Sequence, residues 1–186
     1  MSLYIFTAFI FLIALQRLGE VFLSKRNEKA ILARGGREHA PAHFRAMKLI
    51  HLGWLIAMPL EVFIFNRIFS WYLFIPALLL TITGQALRYA AISTLKDRWT
   101  VRIMTIPNAP PVVGGIFRYI RHPNYTGVVL EIMAIPLLHT AYLTALVFSL
   151  LNALLLYVRI GEEEKALGCE NNYGEYFGKN RLGSAK

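Results

Sequence analysis

Five apolar runs, most of them long enough to cross a bilayer, leave this chain few choices of fold. They read as about Leu3–Leu23, Met47–Phe65, Trp71–Ala91, Asn124–Leu138 and Tyr142–Ile160, the last two joined by the short turn His139–Ala141. A helix needs about 20 predominantly apolar residues to span the hydrocarbon core. The chain is therefore expected to be all-α, a polytopic membrane helix bundle of about five transmembrane helices. It reads as a single membrane domain over residues 1–186, with a three-helix N-terminal part to about residue 91. Composition agrees, because 56% of residues are hydrophobic and 17% charged, against about 45–50% and 25% in soluble domains. The first run is not a secretory signal: it lacks a basic leader, is followed by Ser24-Lys25-Arg26, and ends without a small-residue cleavage site.

A formal net charge of +9 admits nucleic acid, anionic lipid or an acidic substrate, and the placement of the charges separates them. Lys25, Arg26, Lys29, Arg34, Arg37, Arg45 and Lys48 all lie between the first two runs. Of the 20 Lys and Arg, only Arg67 falls in a turn on the opposite side and only Arg17 well inside a run. Basic loops stay cytoplasmic, so the N-terminus is expected outside and the C-terminus inside the cell. The charge is then mostly topology and attraction to the headgroups of membrane lipids. Nucleic acid is not expected as a partner, since no aromatic-interleaved basic module is present. The lone Cys169 excludes an internal disulfide and a thiolate cluster. His39 and His43 are four apart, but Pro41 lies between them without an HExxH context, and no metal is expected.

With five spans, the polar segments after the first, third and fifth share one face. The longest, Ile92–Pro123, contains WTVRIMTIPNAPPVVGGIFRYIRHP, which is too apolar for disorder. Such long connections are uncommon unless functional. An ordered, partly buried cytoplasmic cap is expected.

Two clusters there can carry chemistry. In RYIRHPNYTG, Pro123 sits where a first-turn helix proline belongs. Free backbone N–H groups at the start of that helix would then meet Arg118, Arg121 and His122, a set suited to a carboxylate or phosphate. In YVRIGEEEKAL, Arg159 and Glu163 are four apart and share a helix face. Arginine before glutamate is the weaker order for helix stability, and three glutamates near a helix C-terminus oppose its dipole, so a role other than helix stability is indicated. An arginine at the end of a span can clamp a carboxylate with two parallel hydrogen bonds.

Inside the runs lie Arg17, Glu20, His51, Glu61, Arg88 and Glu131, costly in lipid unless they face an interior, a partner or a cavity. Glu131, about 12 Å along its helix from Pro123, either lines a cavity or is a neutral acid bonded to a neighbouring helix. Arg88 is near a span end and placed to snorkel to the surface. GxGxxG, P-loop, GxSxG and HExxH motifs are all missing, so a nucleotide-like cofactor would need a non-Rossmann site.

Taken together, GQALRYAA, WTVRI, GGIFRYIRHPNYTG, RIGEEEKAL and the tyrosine spacing of ENNYGEYF resemble the isoprenylcysteine carboxyl methyltransferase family of membrane methyltransferases, over about residues 84–177. RHPNY alone also resembles membrane sterol and steroid reductases that use NADPH. Those typically carry an acidic residue where Val128 follows Gly127, and they lack the paired Glu163 and Glu164. Phospholipid N-methyltransferases are similar in outline, which leaves the acceptor open. The resemblance implies S-adenosylmethionine bound at the cytoplasmic face, covered by Thr100, Val101, Ile103 and the segment containing Gly115, Tyr119, Arg121, His122, Pro123 and Tyr125, with the tail folding over it. His122, Tyr125 and Glu163 match positions expected to touch the cofactor. Arg159 matches the position expected to hold the acceptor, which would enter from the bilayer, with Glu131 as a further candidate for lining its path. Arg159 and Glu163 are the candidate catalytic pair.

Overall fold

The computed structural model of the chain describes residues 1–171. The tail expected to close over the cofactor, with Tyr173 and Tyr176, lies outside the described residues. In chain order the elements are α1 (Leu3–Ala33), β1 (Arg37–His39), α2 (Pro41–Ile64), α3 (Trp71–Leu95), β2 (Ile103–Thr105), α4 (Pro123–Leu137) and α5 (Tyr142–Asn171). Single 3₁₀ turns occupy Lys96–Arg98 and Gly115–Arg118.

The architecture is the expected all-α membrane bundle, with two refinements. Four helices, α1, α2, α3 and α5, are long and apolar enough to cross a membrane. The 15 residues of α4 cover about 22 Å, short of the roughly 30 Å hydrocarbon core. Eight of those residues are buried, which makes α4 an inner helix packed between α3 and α5. The second refinement concerns the ends. The apolar stretch of α1 stops near Leu23, yet the helix continues for ten more residues to Ala33. Hydropathy marks where lipid stops, whereas a helix stops where its backbone is capped. Here the cap is Gly35-Gly36: the Gly36 N–H bonds the Ile31 carbonyl and the Gly35 N–H the Leu32 carbonyl, both at 3.0 Å. Gly35 has φ +78°, a conformation that favours glycine in this motif. The chain then turns back, and β1 pairs antiparallel with β2, Arg37 opposite Thr105 and His39 opposite Ile103.

The interior is built from Phe6 and Ile10 of α1, Trp54 and Met58 of α2, and Ile132 and Ile135 of α4. Leu12, Leu60, Ile82 and Leu154 point outward and are exposed, as lipid contact requires. Apolar burial does little to drive helices together in a bilayer, so close packing and interhelical hydrogen bonds matter more. Both are present. Trp54 Nε1 donates to the Ile132 carbonyl at 3.1 Å. Helices α3 and α4 cross at Gly84 and Gly127, where a Cβ added to Gly127 would lie 2.7 Å from the Gly84 carbonyl oxygen and 2.6 Å from Arg88 Cγ.

The far end of the bundle gathers the N-terminus and the α2–α3 and α4–α5 turns, through His139 Nε2 and the Met1 carbonyl (2.9 Å) and Thr140 Oγ1 and the Ile68 carbonyl (2.9 Å). Glu61 caps α5 there, accepting from the backbone N–H of Leu143 (3.1 Å) and Thr144 (2.6 Å) and from Arg67 Nη2 (2.8 Å). The extended part of α1, both strands, the loop from Lys96 to His122 and the end of α5 meet at the opposite end.

Candidate active site

Two helix ends set the site. Pro123 is buried at the first position of α4, with its fixed φ suited to a helix start. His122 is the N-cap residue, yet its side chain does not cap the helix. Instead its Nε2 lies 3.1 Å from Glu164 Oε1 on α5, and Arg121 Nη1 donates to the same oxygen at 3.0 Å. The His122 and Tyr125 rings stack, centroids 5.6 Å apart.

Arg159 and Glu163 do lie one turn apart on α5, but they are joined through α4. The Tyr125 hydroxyl donates to Glu163 Oε2 and accepts from Arg159 Nε at 2.9 Å. Arg159 Cζ also lies 5.7 Å from the centre of the Tyr125 ring. Its Nη2 donates to the Val101 carbonyl at 2.6 Å. Arg159 is 3% exposed, and a guanidinium so placed needs acceptors around it. It has five N–H donors, and the carbonyl and the phenol take two of them. Among the described residues the Nη1 hydrogens have no acceptor.

Of the other residues expected to cover a cofactor, Ile103 is buried in β2. Thr100 uses its hydroxyl locally, donating to the Arg102 carbonyl at 2.7 Å. Gly115 is exposed at the start of a 3₁₀ turn, and Tyr119 is 81% exposed. Neither is bonded to the Tyr125–Arg159 cluster.

Glu131 belongs to another group. Its Oε2 pairs with Arg17 Nη2 and lies 3.6 Å from Arg88 Nε, while Glu20 pairs with Arg17 at 2.9 Å and with Arg88. Two arginines and two glutamates from α1, α3 and α4 thus form one network, buried at Arg88 and Glu131 and part-buried at Arg17 and Glu20, extended by Gln16 and Gln85 at 2.8 Å. Glu131 is bonded to neighbouring helices, as one of the two alternatives held, but as a member of an ion-pair network. Arg88 does not snorkel. It is 5% exposed because Glu20, 68 residues earlier, gives it a partner inside.

Sequence reasoning gave no separate role to Glu164, although it stood in the glutamate run, and it missed Ser24 and Asn27 on α1. Their partners in the cap lie 69 to 77 residues further along the chain, where local sequence gives no signal.

The sequence profile of the isoprenylcysteine carboxyl methyltransferase family matches residues 77–169. That stretch holds every residue of the Tyr125–Arg159 cluster, including His122, Glu163, Glu164 and Val101. Among curated proteins, the chain is similar to uncharacterized protein YpbQ of Bacillus subtilis, 36% identical over 163 residues, covering 87% of this chain and 96% of the relative. It is also similar to an uncharacterized protein of Haemophilus influenzae, 31% identical over 152 residues, covering 81% of this chain and 88% of the relative. No solved structure matches the chain.

Proposed function

The chain belongs to the isoprenylcysteine carboxyl methyltransferase family, and from that premise we propose that it uses S-adenosylmethionine to methylate an anionic oxygen of a lipid-like acceptor. The acceptor group would be a carboxylate, as in an isoprenylcysteine, or an acidic enol or phenol. Arg159 carries this reading: a buried cation with donors uncommitted among the described residues, where the apolar run of α5 ends. Such a group suits an anion that arrives with an apolar tail.

The donor set suits the cofactor as well. Glu163 and Glu164 are carboxylates for its cationic groups, the side-chain-uncapped start of α4 offers backbone N–H groups to its carboxylate, and His122 and Tyr125 offer ring faces. Val101, Ile103 and Arg121 would close around it, with Thr100, Gly115 and Tyr119 on the outer wall. Bound there, S-adenosylmethionine would supply a methyl group on a positively charged sulfur, which departs as a neutral thioether. The protein needs no metal and no covalent intermediate for this. Arg159 holds the oxyanion in line, Tyr125 and Val101 hold Arg159, and the apolar surroundings keep water from blunting the nucleophile. Glu131, fixed by Arg17 and Arg88, would line the acceptor's path from the bilayer. The site would face the cytoplasm, with the N-terminus outside.

Two measurements test the reading. Calorimetry on the detergent-solubilised protein should give saturable binding of S-adenosylmethionine and none of NADPH; the reverse would point to a reductase. Arg159→Ala should lower turnover by about 10²–10³-fold, the scale of losing one oriented donor at a developing charge, while cofactor binding persists. Wild-type turnover in that variant would overturn the assignment.

A further inference from the structure

Residues 1–76 lie outside the family match, yet α1 reaches into the site. Its extension beyond the apolar run carries Ser24, Asn27 and Glu28, and the first two are buried. Asn27 Nδ2 donates to two carbonyls of the cap, Lys96 at 3.0 Å and Trp99 at 2.8 Å. Ser24 Oγ accepts from the Val101 N–H at 2.9 Å and donates to Glu28 Oε1 at 2.6 Å. The carbonyl of this same Val101 receives Arg159 Nη2. Val101 is therefore held from one side by α1 and holds Arg159 on the other. The antiparallel pairing of β1 with β2, just after Val101, fixes the chain beyond it.

We propose that Ser24 is a positioning residue for methyl transfer, fixing the Val101 carbonyl that orients Arg159. This deepens the reading of Arg159 given above and rests on it. The chemistry favours a serine here. Its hydroxyl gives and receives at once, so one fully buried atom satisfies the Val101 N–H and is itself oriented by Glu28. Without it, the part-buried Val101 N–H loses its acceptor and the backbone moves to find another. A shift of about 1 Å at a reacting geometry is enough for a roughly 100-fold loss of rate.

The test uses the full chain in lipid nanodiscs, comparing wild type, Ser24→Ala, Ser24→Cys and Arg159→Ala. Sulfur is a weak acceptor, so Ser24→Cys keeps most of the volume while weakening the bond. Three readouts are taken: the Kd of S-adenosylmethionine, the ¹⁵N–¹H resonance of Arg159 Nε, and methyl transfer to an S-prenylcysteine, a long-chain alkylphenol, a long-chain acidic enol and a fatty acid. Ser24→Ala should lower kcat roughly 10–100-fold and shift the Arg159 resonance, with the cofactor Kd within about twofold of wild type. Ser24→Cys should fall between the two, and it decides the matter if Ser24→Ala does not fold. An Arg159 resonance and kcat unchanged in both Ser24 variants would overturn the proposal. Loss confined to the cofactor Kd would also overturn it, as would a uniform loss of stability with an unmoved resonance. Failure of the underlying reading looks different: wild type methylates none of the four acceptors, or Arg159→Ala stays active, and the proposal then falls with it.

Discussion

A single methyl group placed at Gly127 should weaken the bundle measurably. The added Cβ would sit 2.6 Å from Arg88 Cγ and 2.7 Å from the Gly84 carbonyl oxygen, where carbon contacts are comfortable only from about 3.5 Å. Neither neighbour can move cheaply. The carbonyl is backbone of α3, and Arg88 is tethered to Glu20 and Glu131. Helices α3 and α4 must therefore separate by most of an ångström. Overpacking of this kind costs about 1–3 kcal/mol. At about 2–4 °C per kcal/mol for a chain of this size, Gly127→Ala should melt roughly 2–12 °C below wild type. Gly19→Ala is the matched control, since nothing lies within 4 Å of a Cβ there. On helix propensity alone it should be neutral or stabilising by up to about 1 kcal/mol. The assay is loss of helical circular dichroism on heating in detergent, all three proteins at one scan rate. A Gly127→Ala protein that melts with or above wild type would show that the α3–α4 crossing is not the tight contact described.

Tyr125→Phe removes the hydroxyl that joins Arg159 to Glu163; kcat should fall roughly 10–100-fold with the melting temperature nearly kept, and unchanged turnover by radiolabelled methyl transfer would deny Tyr125 its part. Glu61→Ala strips acceptors from two N–H groups of α5 and leaves Arg67 without its carboxylate. Leaving the two α5 N–H groups without their acceptor costs about 1–3 kcal/mol. A drop in melting temperature is expected, with Glu61→Gln falling less because its amide oxygen still accepts, and equal melting of Glu61→Ala and wild type would refute the cap.

The spans were legible because contact with lipid imposes apolarity over a whole helix, and Pro123 and the Arg159–Glu163 spacing were legible because proline geometry and helical period are local. The insertion of Tyr125 between Arg159 and Glu163 was not, since i, i+4 spacing predicts a direct pair and only the packing of α4 on α5 interposes a phenol. The extent of α1 was hidden for another reason. Beyond Leu23 its exposed face is polar, and the apolar signal ends although Ser24, Asn27 and Ile31 stay buried against the cap. Arg88 shows the same limit: its position near a span end predicted an escape to the surface, and its actual partner is remote in sequence.

The network of Arg17, Glu20, Arg88 and Glu131 also bears on how the chain enters the membrane. Helices leave the ribosome in order, and a lone charge at mid-bilayer is costly. Arg17 and Glu20 are three residues apart on α1 and pair with each other, so the first helix arrives already neutralised. Arg88 comes next and finds Glu20 in place, and Glu131 comes last and finds Arg17 and Arg88. Each newcomer meets an opposite charge already in the bilayer, so the order of helices along the chain is also a workable order of insertion.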